Sequence, residues 1–152
     1  MAERYYGRQR AYSNLTADIE DFVKESEERM VALMQASIQD VVENAQQPRA
    51  KGGRMRIDTG FLRASGAAAI NALPSGEDQK PKDALPNSFT WDGEGLISAL
   101  TKMKFGDVFY FGWTAHYARY RELYDGFLEG AMQQWGRIVA FNTDTLRQRI
   151  KK

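Results

Sequence analysis

Apolar residues recur at steps of mostly three and four along Leu15, Ile19, Phe22, Met30, Leu33, Met34, Ile38, Val41 and Val42. That spacing places them on one stripe of a helix. Asn14 is suited to cap it, and Asp18, Glu20 and Asp21 fall in its first turns, where the helix dipole favours acids. A polar run from Lys24 to Arg29 interrupts the stripe, with weak support from the pairs Lys24–Glu28 and Glu25–Arg29. The helix is expected from about Leu15 to about Ala45, ending ahead of Pro48. At a length of about 45 Å it exceeds what one small core needs, so part of its stripe is expected to face a partner. Residues 1–13 lack such periodicity and set Tyr5, Tyr6 and Tyr12 among Arg4, Arg8 and Arg10. They read as an arm that orders against a neighbouring surface.

Residues 47–56 read as a loop around Pro48, Gly52 and Gly53. Asp58-Thr59-Gly60 reads as a turn that leads into a short strand through Ala67, Ala69 and Ile70. Residues 74–87, with Pro74, Gly76, Pro81 and Pro86, read as a long exposed loop. Ser88 to Trp91 suggests a short strand and Gly95 to Lys104 a helix with Leu96, Ile97, Leu100 and Met103 on one side. Val108 to Trp113 is aromatic and β-branched and predicts a buried strand. After Gly126 a helical period returns through Phe127, Ala131, Met132, Trp135, Ile138, Val139, Leu146 and Ile150, with a break expected near Asn142-Thr143. The order predicts an α+β domain over residues 14–152: a long N-terminal helix, a small antiparallel β-sheet and a C-terminal helix.

Composition narrows the class. A chain of 152 residues suits one domain. The formal net charge of +1 gives no global pull toward nucleic acid or membrane, and no apolar run is long enough to span a bilayer. The absence of cysteine excludes disulfides and thiolate metal sites. The start, MAERYYGRQR, lacks the apolar core of a signal peptide, so the chain is expected to be made and folded in a cytoplasm.

Candidate chemistry is sparse. Asp58-Thr59-Gly60 is the tripeptide of aspartic proteases, where the Asp is half of a carboxylate pair. Here Phe61 and Leu62 follow, and a single Asp would act only in a symmetric dimer. A turn with a glycine-specific backbone is the better reading. His116 is the sole histidine and is expected to be partly buried and hydrogen-bonded, with no metal partners at ligand spacing. No metal or cofactor is expected. Arg49, Lys51, Arg54 and Arg56 make the 49–56 loop locally basic, and with Arg4, Arg8 and Arg10 they are candidate contacts to DNA phosphates or to a partner. A DNA-binding regulator is the less favoured use of those charges. In His116-Tyr117-Ala118-Arg119-Tyr120-Arg121-Glu122, Arg119 and Glu122 are spaced to pair on a helical turn, and Tyr117 and Tyr120 to share a side. This segment is either packing or a subunit interface, where Tyr and Arg are enriched.

Two segments together carry a resemblance. Asp58, Thr59, Gly60, Leu62, Arg63 and Ser65 resemble the D-T-G-x-L-R-x-S segment of the tail-completion (neck) proteins of long-tailed bacteriophages. Tyr117, Ala118, Tyr120 and Glu122, with Arg119 between them, are similar to that family's Y-A-x-Y-x-E, and Phe127 and Ala131 fall near its Phe and Ala at the start of the final helix. Where the family commonly has Gly-Thr after the Glu, this chain has Leu123-Tyr124-Asp125-Gly126. The resemblance implies a non-enzymatic virion protein of the neck or tail, assembled in the host cytoplasm. It implies a homo-oligomeric ring, sixfold in expectation, at the head–tail junction. Its partners would be head-completion (connector), tail-terminator and tail-tube proteins and the DNA in the lumen, bound without sequence preference, with no membrane. A tail terminator capping the tail tube is the alternative role. The matched residues would form the structural centre, with none catalytic.

Overall fold

The computed structural model describes the backbone of residues 2–152 and the side chains of residues 14–152. The side chains of the arm expected over 1–13, with Arg4, Arg8 and Arg10, lie outside the described residues. Helix α1 spans Ala2–Gln46, so Asn14 lies inside it rather than at its cap. The later elements are a short 3-10 turn at Arg49–Lys51, α2 (Phe61–Ala64), β1 (Gly66–Ile70), α3 (Glu94–Lys102), β2 (Phe109–Trp113), α4 (Ala118–Asp125), α5 (Phe127–Gln133) and α6 (Trp135–Ile150). The protein is mixed α+β and mostly helical, with a long N-terminal helix, one two-stranded antiparallel sheet and C-terminal helices.

The sheet joins unlike strands. Gly66, Ala67, Ala68 and Ala69 of β1 stand opposite Trp113, Gly112, Phe111 and Tyr110 of β2. Small side chains on one strand make room for aromatic rings carried by the other. Gly66 shows how little room is left: a Cβ there would fall 2.5 Å from Gln46 Nε2 and 2.8 Å from Phe111 Cζ.

Two apolar clusters form the core. Ile38 and Val42 of α1 pack on Leu96 and Leu100 of α3 and on Met103, with Ile70, Trp91, Phe109, Phe111 and Trp135 around them. Met55, Leu62, Ala115 and Phe127 make the second, flanked by Phe61, Trp113, Tyr117 and Ala118. Helix α6 runs back along α1, where Asn142 Nδ2 donates to Asp40 Oδ2 at 2.8 Å and to Ser37 Oγ at 3.3 Å. From Asn14 to Met30 no residue of α1 is buried.

Three further expectations need correction. Ser88 to Trp91 is not a strand. It lies beside the Asp58 turn, where Asn87 N–H donates to Asp58 O and Phe89 N–H to Thr59 O, while Ser88 N–H turns back to Leu85 O. The helical break after Gly126 falls at Gln134, between α5 and α6, and not at Asn142-Thr143. There Asn142 spends its amide on α1, and Thr143 Oγ1 returns to the Val139 carbonyl within the helix. Finally, the Asp58 turn does not launch β1 directly, because the helical turn α2 intervenes.

Candidate functional site

The first motif is a turn, a helical turn and a strand start held by its own side chains. Thr59 is buried, and its Oγ1 accepts the Phe61 amide at 3.2 Å. Gly60 sits at φ 83°, and a Cβ there would lie 2.1 Å from the Phe89 carbonyl oxygen. Both the left-handed backbone and the close approach require glycine. Leu62 is buried in the second cluster, and Ser65 Oγ closes α2 by donating to the Leu62 carbonyl at 2.7 Å.

Arg63 ties this motif to the end of α1. Its Nε donates to the Gln46 carbonyl at 2.8 Å, while Gln46 Nε2 donates to the Arg63 carbonyl at 3.0 Å. The Gln46 side-chain oxygen accepts from Trp113 Nε1 at 2.9 Å. Gln46 is 0% exposed and is satisfied by α2 on one side and β2 on the other. The Arg63 guanidinium also lies 5.4 Å from the Trp91 ring centroid.

The second motif packs on the first. The Tyr117 ring stands 6.3 Å from Phe61, and Lys80 Nζ lies 5.8 Å above it. Burial raises the Tyr117 phenol above its ordinary pKa, and the Asp58 charge pushes the same way, against a hydrogen bond with the Leu62 backbone and the charge of Arg121. Ala118 packs against the second cluster. Tyr120 does not share the side of Tyr117 as expected: it is exposed, because Tyr117 precedes α4 and turns inward to Phe61. The expected pairing of Arg119 with Glu122 is also corrected. Both Glu122 carboxylate oxygens accept backbone amides at the start of α5, Leu128 at 2.8 Å and Glu129 at 2.9 Å, so Glu122 caps that helix.

Between the motifs lies a cleft of about 300 Å³ lined by Asp58, Thr59, Gly60, Leu62 and Arg63 from the first, Tyr117 and Arg121 from the second, and Arg56, Ile57 and Lys80. One carboxylate, Asp58, stands there among four cations. No protein-family model, curated protein or solved structure matches the chain.

Two arginines of the basic loop are engaged by the protein itself. Arg49 bonds Asp125 at 3.2 Å, and Arg121 bonds the same carboxylate at 2.6 Å. Asp125 has a side chain only 2% exposed, whereas Arg49 is 59% exposed. Arg54 lies across Gly130, where a Cβ would come within 2.8 Å of its guanidinium. All four basic residues of the loop, Arg49, Lys51, Arg54 and Arg56, remain exposed. His116 is exposed rather than partly buried, with Nδ1 3.2 Å from the Asp78 carbonyl oxygen. The bridge between Asp78 and Ala115 brings the 74–87 loop to it. Among the described residues no cluster of His, Asp and Glu is placed to hold a metal ion, and no helix is long and apolar enough to cross a membrane.

Gln46 and Lys80 were not singled out by sequence. Gln46 had a signal, since it lies one turn beyond Val42 on the buried side of α1. Lys80 had none, because a lysine in a polar loop looks the same whether or not the chain folds it over a tyrosine.

Proposed function

We propose that this protein is a structural component of the neck of a long-tailed bacteriophage. Copies form a ring, sixfold in our reading, at the head–tail junction, complete the tail and allow head–tail joining around the DNA channel. The observation that carries the reading is the meeting of the two motifs. They lie far apart in sequence yet share one cleft and one packing unit through Phe61 and Tyr117. The residues that match the neck-protein pattern hold the fold: Gly60 admits the Phe89 carbonyl, Arg63 clamps α1, Ser65 closes α2 and Glu122 caps α5. A pattern retained for architecture suits an assembly protein.

The cleft supports the same side of the argument. An aspartic protease requires two carboxylates sharing a proton, and Asp58 instead shares its cleft with Arg56, Arg63, Lys80 and Arg121. The exposed Lys51 and Arg56 suit contact with a phosphate backbone or an acidic neighbour, multiplied around a ring. Deleting the gene from its phage tests the reading. DNA-filled heads and separate tails should accumulate unjoined, and infectious particles in normal yield would overturn it.

A further inference from the structure

Helix α1 carries an apolar stripe from Leu15 to Val23 that is exposed among the described residues. Leu15, Ile19, Phe22 and Val23 are exposed by 55%, 53%, 68% and 47%. The stripe continues into a notch of about 150 Å³ lined by Met30, Met34, Met103, Phe105 and Phe109. Its flanks are acidic: Asp18, Glu20, Asp21, Glu25, Glu27 and Glu28 stand against Lys24 and Arg29. A helix whose apolar face meets only water gains little from burial, and helices in proteins depend mostly on that gain.

A surface of opposite character lies on α4. Tyr120, Leu123 and Tyr124, at helical steps of three and four, are exposed by 66%, 76% and 81%. The two carboxylates of α4 are withdrawn from this face. Glu122 is spent on the α5 amides, and Asp125 is buried between Arg49 and Arg121. The surroundings are therefore cationic: Arg119 is exposed, the Arg121 guanidinium lies 6.0 Å from the Tyr124 ring, and Arg56 and Lys80 open onto the adjoining cleft.

We infer that the acidic, apolar segment Leu15 to Met30 of one copy docks on the basic, aromatic face of α4 in a second copy of this chain. Apolar stripe meets apolar stripe, and acidic flanks meet the arginines and lysine around α4. The two surfaces are different parts of the molecule, so the contact is head-to-tail and each copy keeps one surface of each kind free. Such a contact closes into a ring or continues as a filament, according to the rotation between copies. The inference names the contact for the ring proposed above, and rests on that reading only for closure.

The absence of cysteine permits a direct test. Ile19→Cys and Leu123→Cys are made in separate full-length chains, mixed and mildly oxidised. The expected product is a disulfide-linked heterodimer, several-fold above the yield from Ile19→Cys mixed with Phe141→Cys, which offers an equally exposed site on α6. Adding Phe22→Asp to the Ile19→Cys chain should reduce the yield to that of the control, and raising the salt should lower it. The far-ultraviolet circular dichroism of each variant should match the parent, because all four replaced side chains are exposed. A heterodimer yield equal to the control, dominance of Ile19→Cys homodimers, or indifference to Phe22→Asp would each overturn the contact. The disulfide can fail while gene deletion still blocks head–tail joining, and it can form in a protein with no role in a phage, so the two readings fail separately.

Discussion

Gln46 and Arg63 hold each other by two reciprocal bonds, side-chain amide to carbonyl at 3.0 Å and guanidinium Nε to carbonyl at 2.8 Å. The pair joins the end of α1 to α2, and through Trp113 it joins both to the sheet. Gln46→Leu preserves bulk but takes from the part-buried Trp113 indole N–H and Arg63 carbonyl their Gln46 partner. A loss of about 2–4 kcal/mol is expected, measured by denaturant unfolding. Trp113→Phe combined with Gln46→Leu should cost less than the sum of the single changes, because each removes a partner the other needs.

Gly60→Ala should be among the most damaging small substitutions. The new Cβ would have to adopt φ 83° and would meet the Phe89 carbonyl oxygen at 2.1 Å. The backbone strain alone costs about 1–3 kcal/mol, and the displaced 87–89 segment adds to it. Thermal unfolding should show a large drop, with limited proteolysis newly cutting near Phe89. An unchanged melting temperature would contradict the close approach.

Glu122 and Arg119 separate a helix cap from an ion pair. Glu122→Ala exposes the Leu128 and Glu129 amides and should cost about 1–2 kcal/mol, in the range of lost caps. Arg119→Ala should change stability by less than about 0.5 kcal/mol. Equal losses for the two substitutions would restore the pairing that their spacing suggests.

Asp107 links acid pH to the join between β1 and β2. Its carboxylate accepts the Asn71 side-chain amide at 3.0 Å and the Lys104 backbone amide at 2.8 Å, and these bonds hold its pKa below the ordinary value. A lowered pKa gives stability that is present above the ordinary carboxylate range and lost as pH falls through the lowered value. The melting temperature should therefore fall on acidification below about pH 4, and Asp107→Asn should make that fall shallower. The same slope in the variant would show that Asp107 takes no part.

The long helix, the aromatic strand and the α3 period were legible because each carries a repeating apolar face, buried in α1 only toward its C-terminal end. Ile38, Val42, Leu96, Leu100 and Met103 meet in one cluster. Partnerships that depend on two distant segments were not legible. Spacing paired Glu122 with Arg119, whereas the fold brings the start of α5 under its carboxylate. The segment at Ser88 has the composition of a strand, but its backbone reaches only the Asp58 turn. The cleft joins the motifs through Lys80, whose position depends on the 74–87 loop being pinned at Asp78.

The methionines give the architecture an internal clock. Met30, Met34 and Met132 are exposed by 55%, 40% and 57%, whereas Met55 is 0% exposed at the centre of the second cluster. Oxidation to the sulfoxide needs access to sulfur and leaves a polar group in its place. Peroxide would therefore strike α1 and α5 first and make the notch beside Met30 more polar. Met55 would react only when the surrounding structure opens. Its sulfoxide, counted by mass spectrometry, would time the opening of the centre that joins the two motifs, while the outer sulfurs record the wear of the surfaces.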